Sequence, residues 1–166
     1  MNKNTVQKQY SNWQLSALTV LRALIGWHFL YEGLVKIYTP GWTARYYLLG
    51  ASGPLAPLFK GMARNESILF VVDILNEWGL ILIGLSLFIG LLGRQGKLFG
   101  IALLLLYYMA YPPFPILDAT ANVEGSYWIV NKNLIEMTAL FVLFLFPTSH
   151  ITGIDRFLFN KINKYS

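Results

Sequence analysis

Ionisable and amide side chains recur inside apolar stretches of this chain, at spacings that could move protons. His28 and Glu32 lie in one such stretch, Asp73, Asn76 and Glu77 in a second, and Lys132, Asn133 and Glu136 in a fourth. Charged groups in apolar surroundings are costly and by default mark a site. His28, Glu32 and Lys36 are successive i,i+4 neighbours, as are Asp73 with Glu77 and Lys132 with Glu136, so each helix would offer one polar face. Two carboxylates as close as Asp73 and Glu77 resist joint ionisation unless Lys36, Lys132 or His28 supplies a cation; otherwise one stays protonated and can exchange its proton. Glu77, His28 and Glu136 are therefore the candidate catalytic, proton-handling groups. Glu32, Lys36, Asp73, Lys132, Asn133 and Tyr108 are candidate substrate contacts. A structural alternative stands beside each: Lys132 and Glu136 neutralising one another, Lys36 reaching toward lipid headgroups, His28 hydrogen-bonded in a core.

The aromatic residues admit two readings as well. Tyr107, Tyr108 and Tyr111 cluster near one end of the third apolar stretch, and Trp27, Tyr31, Trp78 and Trp128 fall near the same level on the others. Such residues form belts at membrane interfaces. Flat rings beside hydroxyl, imidazole and carboxyl groups also suit a quinone headgroup, whose reduction needs protons delivered to its oxygens, with Trp78 and Tyr107 as candidate cofactor contacts. The chain has no cysteine, which excludes an iron–sulfur cluster and Cys-ligated zinc. His150 lies beyond Pro147, too far along the chain from His28 for the two to share a haem, and no recognised metal-ligand spacing occurs, so no metal is expected.

What must position these residues follows from composition. Of 166 residues, 55% are hydrophobic and 13% charged, and the mean hydropathy is +0.49, which points to a single domain within a lipid bilayer. The net charge of +5 comes from residues scattered between apolar runs, a distribution that fits membrane topology and not nucleic-acid binding. Residues 15–37, 68–92, 98–117 and 127–146 are each near the ~20 needed to cross a bilayer core. Only helices satisfy their own backbone in lipid, so the expected fold is an all-α, integral membrane four-helix bundle. The Arg94-Gln95-Gly96-Lys97 turn, with Lys3 and Lys8 before the first span and Arg156, Lys161 and Lys164 after the fourth, places both termini in the cytoplasm. Gly79 and Gly84, with Gly96 and Gly100, would allow close helix approach. The long outer loop between the first two spans, rich in Trp, Tyr, Gly and Pro, is expected to hold an interfacial or re-entrant segment. With ~1.5 Å of rise per residue, Glu32, Asp73 and Lys132 would lie about 8–9 Å from the outer end, and His28, Glu77 and Glu136 about 14–15 Å. Arg22 lies deeper still, where Asp155 or a lipid phosphate would be its partner.

The segment Leu21-Arg22-Ala23-Leu24-Ile25-Gly26-Trp27-His28-Phe29-Leu30-Tyr31-Glu32-Gly33-Leu34-Val35-Lys36 resembles the first span of the DoxX family. Glu77-Trp78-Gly79-Leu80-Ile81-Leu82-Ile83-Gly84 resembles its second span, and Asn133-Leu134-Ile135-Glu136 leading to Gly153-Ile154-Asp155 its fourth span and exit. The Trp-containing loop is similar to that of the DoxD-like branch. The resemblance implies a bacterial inner-membrane protein and, through that branch, the large subunit of a thiosulfate:quinone oxidoreductase with a companion subunit. Arg45, Lys60 and Arg64 are the cations available to an outward-facing small anion. A non-catalytic membrane subunit that anchors or assembles a partner complex is the alternative.

Overall fold

The structure is a computed structural model and describes residues 10–114 and 126–156. It is mostly helical. Helix α1 (Asn12–Tyr38) begins at a capping box, in which Ser11 Oγ accepts the Gln14 N–H at 3.2 Å and Gln14 Oε1 accepts the Ser11 N–H at 2.9 Å. Two short helices follow, α2 (Arg45–Leu49) and α3 (Ala56–Arg64). Helix α4 (Glu66–Ile89) is capped by Asn65 and stops at Gly90, whose φ of 69° reverses the chain at little steric cost. Helix α5 (Gly93–Ala110) comes next. An antiparallel ribbon of β1 (Ser126–Tyr127) and β2 (Val130–Asn131) then leads into α6 (Lys132–Leu145) and the short α7 (Ser149–Thr152).

One apolar core joins the four longest helices: Ile25 and Phe29 of α1, Leu80, Ile83 and Leu87 of α4, Leu104 of α5, and Leu140 and Leu143 of α6. Helices α1 and α4 make the closest contact. A Cβ on Gly84 would stand 2.8 Å from Leu30 Cα, and one on Gly26 would stand 2.6 Å from Phe88 N, so hydrogen alone fits between these backbones. Gly79 is not part of this seam, since a Cβ there would meet nothing within 4 Å. A second apolar cluster seats the α2–α3 segment on the start of α4 and the end of α5, using Ala44, Leu48, Phe59, Ala63, Leu69 and Ala110. Large apolar side chains also face outward along the long helices, among them Leu24, Phe70, Leu75, Leu82, Phe99 and Phe141. Helices α1 and α4 are long and apolar enough to cross a membrane.

The helix boundaries depart from the sequence pattern in two places. Helix α5 starts at Gly93 and ends at Ala110, earlier than expected at both ends, because the chain turns tightly after Gly90 and Pro112 and Pro113 cannot continue the helix. Helix α6 starts at Lys132 and not at residue 127, because residues 126–131 pair as the ribbon. Lys132 is accordingly at the helix's first turn and not about 8 Å along it. Residues 1–9, 115–125 and 157–166, and with them Lys3, Lys8, Lys161 and Lys164, lie outside the described residues.

Candidate functional site

A cavity of about 570 Å³ lies between the stretch from Trp42 to Tyr47, which leads into α2, and the ends of the four long helices. Its apolar floor is Phe29, Leu80 and Leu104. His28, Glu32 and Lys36 of α1 line one wall, with Asn131, Lys132, Asn133 and Glu136 where β2 enters α6. Asn76 of α4 and Tyr107 of α5 line another, and Trp42, Thr43, Ala44, Tyr47 and Tyr111 complete it. The i,i+4 spacing on α1 brings His28, Glu32 and Lys36 to this wall together.

His28 and Glu136 form the shortest contact between charged or ionisable side chains of opposite type in the cavity. His28 Nδ1 and Glu136 Oε1 are 2.8 Å apart, across two helices, and Glu136 is only 12% exposed at its side chain. With Glu136 as the acceptor, Nδ1 donates in this bond and Nε2 is the ring nitrogen left for other partners. That Nε2 lies 3.9 Å from Glu32 Oε1. Glu32 in turn holds Lys36, whose Nζ donates to Glu32 Oε2 at 3.1 Å and sits 5.4 Å from the centre of the Trp42 ring. Lys36 is therefore tied inside the cavity. Lys132 is exposed and makes no ion pair with Glu136, whose carboxylate is engaged by His28 instead.

The cap over the cavity is fastened by backbone bonds. Asp73 Oδ1 accepts the Ala44 N–H at 2.8 Å, Ala110 O accepts the N–H groups of Ser52 and Gly53 at 3.0 Å each, and the Tyr111 hydroxyl donates to Tyr47 O at 2.7 Å. Desolvation pushes the Tyr47 phenol above its ordinary range, and the neighbouring Tyr107 and Tyr111 add to the shift. Outside the cavity Arg45 donates to Glu66, so this cation is paired at the surface; the bond raises Arg45 and lowers Glu66 from their usual values.

Four expected site residues are placed elsewhere. Glu77 does not line the cavity: on α4 its face is Asn76 and Leu80, and Glu77 is rotated about 100° from Asn76. Asp73 Oδ1 is engaged by the Ala44 backbone, and no hydrogen bond joins Asp73 to Glu77 among the described residues. Trp78 is 53% exposed on the outer surface of α4. Tyr108 donates to Ile129 O at 2.8 Å and anchors the ribbon. The sequence reading in turn omitted Trp42, Tyr47 and Asn131 as cavity residues. Of these, only Asn131 carried a local signal, an amide ahead of a helix start.

The opposite end of the helices holds a second polar cluster with a different construction. Arg22 donates to Thr148 Oγ1 at 3.1 Å and Ser149 Oγ at 3.4 Å, and Lys97 donates to Leu143 O at 3.0 Å. Asp155 accepts the N–H groups of Leu92 and Gly93 at 2.8 and 3.1 Å. All of these side chains are buried, and Gly93 is needed because a Cβ there would run into Ser149. Arg22 thus finds hydroxyls, with Asp155 acting on it electrostatically. Among the described residues no group of three or more His, Asp or Glu side chains is placed to hold a metal ion. No family model, characterised protein or solved structure matches the chain.

Proposed function

We propose that the chain is an integral membrane four-helix bundle of DoxX type, in the bacterial inner membrane with both termini cytoplasmic. The cavity then lies in the outer half of the bundle. The outward-facing apolar side chains of all four long helices support membrane burial, since a soluble chain rarely exposes so much contiguous apolar surface. Arg94 and Arg156, both exposed at the end away from the cavity, support the orientation.

The activity this geometry supports best is that of a quinone-coupled oxidoreductase subunit. A single observation carries it: the His28–Glu136 pair, 2.8 Å apart, inside a cavity with an apolar floor and aromatic walls. A quinone takes up two electrons and two protons on reduction. His28 Nε2 would exchange a proton with a ligand oxygen, while Glu136 fixes the ring through Nδ1 and, with Glu32, stabilises the imidazolium. Lys36 balances the charge of Glu32. The electrons come from a reductant handled with a partner subunit; by resemblance this is the small anion thiosulfate, approaching from outside. Arg45 is already paired with Glu66, so Lys60 and Arg64 are the cations left for such an anion.

Solvent extraction of the purified protein tests this reading. Wild type should retain quinone in stoichiometric amount, and Asn133→Trp, which fills the cavity from its wall, should lose at least tenfold of it while keeping its melting temperature. Wild type free of quinone, or a variant with undiminished quinone, overturns the reading. The exposed Tyr127, Trp128 and Ile129 at the ribbon turn favour, as a second reading, a non-catalytic subunit that anchors a partner protein.

A further inference from the structure

Three amides line the cavity, Asn76, Asn131 and Asn133, and in two of them, Asn76 and Asn131, a hydrogen bond fixes which way the amide faces. Asn131 is the N-cap of α6, and its Oδ1 accepts the Leu134 N–H at 3.0 Å. A backbone N–H can only donate, so the amide oxygen must face the helix and the NH₂ group is what remains. Asn76 Oδ1 accepts the Tyr107 hydroxyl at 3.1 Å, which leaves its NH₂ group over in the same way. Neither nitrogen is sealed away: among the described residues the buried side-chain polar atoms without a partner are Arg22 Nε and Ser52 Oγ. One cavity is therefore lined by two oriented amides from different elements, whose NH₂ groups have no acceptor among the described residues.

We propose that Asn76 and Asn131 each donate to a carbonyl oxygen of the ligand, so that the cavity selects an oxidised, dicarbonyl quinone headgroup. The inference rests on the quinone reading and adds its specificity. Both amides are held before the ligand arrives, one by a helix cap and one by a phenol, so little ordering is needed on binding. A ring of the same shape without carbonyls would leave both donors desolvated and unpaired, which is the stronger half of the discrimination. Tyr107 acts as a positioning residue, through Asn76.

The test is infrared difference spectroscopy on the full chain in nanodiscs, with a short-chain benzoquinone isotopically labelled at its carbonyl carbons. Wild type should show the carbonyl bands displaced to lower frequency relative to the quinone in empty nanodiscs. Asn76→Leu removes one donor, and Asn131→Ser removes the other while keeping a helix cap. Each should return part of the displaced intensity to the free position and weaken binding about tenfold. If Asn76→Leu fails to fold, Tyr107→Phe reads the same band, which should broaden as the amide loses its lock. Quinone that binds with bands unmoved by these substitutions overturns the donor pair and leaves the quinone reading standing. Wild type that binds no quinone overturns both.

Discussion

At the cavity end the side chains of His28 and Glu32 remain 41% and 43% exposed, whereas at the other end Arg22 and Lys97 are 2% and 1% exposed. Both clusters are built from ionisable side chains but bond them differently. At the closed end the partners are largely backbone or hydroxyl: Leu143 O for Lys97, Thr148 and Ser149 for Arg22, and the Leu92 and Gly93 N–H groups for Asp155. Those bonds fasten the α4–α5 turn to the chain after α6. At the cavity end charged side chains hold one another, and an imidazole nitrogen and two amides keep unused capacity. A buried charge alone is therefore weak grounds for a site; unspent hydrogen-bonding capacity beside a cavity is better grounds.

The comparison breaks most visibly at Asp155. Asp155→Ala removes the acceptor of two backbone N–H groups and leaves Arg22 and Lys97 buried without their carboxylate, a change that costs roughly 3–5 kcal/mol. Glu136→Gln keeps an acceptor for His28 in a cavity of about 570 Å³ that admits water, so its cost stays below about 1 kcal/mol. Thermal or denaturant unfolding in detergent measures both. Equal losses would mean that the cavity end is as structural as the closed end. The variants should separate the other way in quinone reduction, which Glu136→Gln lowers by about a hundredfold.

Between the two ends, the α1–α4 seam sets how firmly both are held. Gly84→Ala would drive a methyl into the Leu30 backbone, where no rotamer can relieve it, and should cost about 2–3 kcal/mol. Gly79→Ala, five residues earlier on the same helix, meets open space and should be neutral or stabilising by up to about 1 kcal/mol, because alanine is the better helix former. Unfolding of the two variants side by side checks the seam. A costly Gly79→Ala would show that this face of α4 is covered by another protein.

Helical spacing was enough to bring His28, Glu32 and Lys36 onto one wall, and to find Glu136 opposite them. Spacing did not set the phase of α4. Asp73 and Glu77 were the conspicuous charges there, yet the face turned to the cavity is Asn76 with Leu80, a quieter pair. The start of α6 was obscured because Tyr127-Trp128-Ile129-Val130 continues the apolar run, although it folds as a ribbon whose turn places Trp128 at a φ of 60°. That hid Asn131 as a cap. Lys97 resembled an ordinary basic residue at a membrane turn; its burial depends on Gly93 and Gly96 letting α5 approach Ser149 and Ser86, which only the tertiary fold shows. Trp42 and Tyr47 reach the cavity through the path of the connection between α1 and α4, a loop and a helix of five residues, too short for a periodic signal.

A solvent-exposed ion pair gives the low end of the scale against which both clusters are judged. Arg45 and Glu66 pair at the surface, tying α2 to the first turn of α4. The hydrogen bond from Arg45, followed by its charge, holds the Glu66 carboxyl below the usual value of 4.5. A carboxyl depressed in the folded state binds protons less readily there than in the unfolded chain, so its contribution is present above the ordinary value and is lost as pH falls through the lowered one. Arg45, raised by the same bond, stays protonated throughout and adds no titration of its own. Melting temperature should therefore fall slightly more steeply in acid for wild type than for Glu66→Gln, and high salt should erase the difference, since exposed pairs are screened. A large, salt-resistant difference would place this pair with Asp155, as a buried fastening of the cap and not a surface contact.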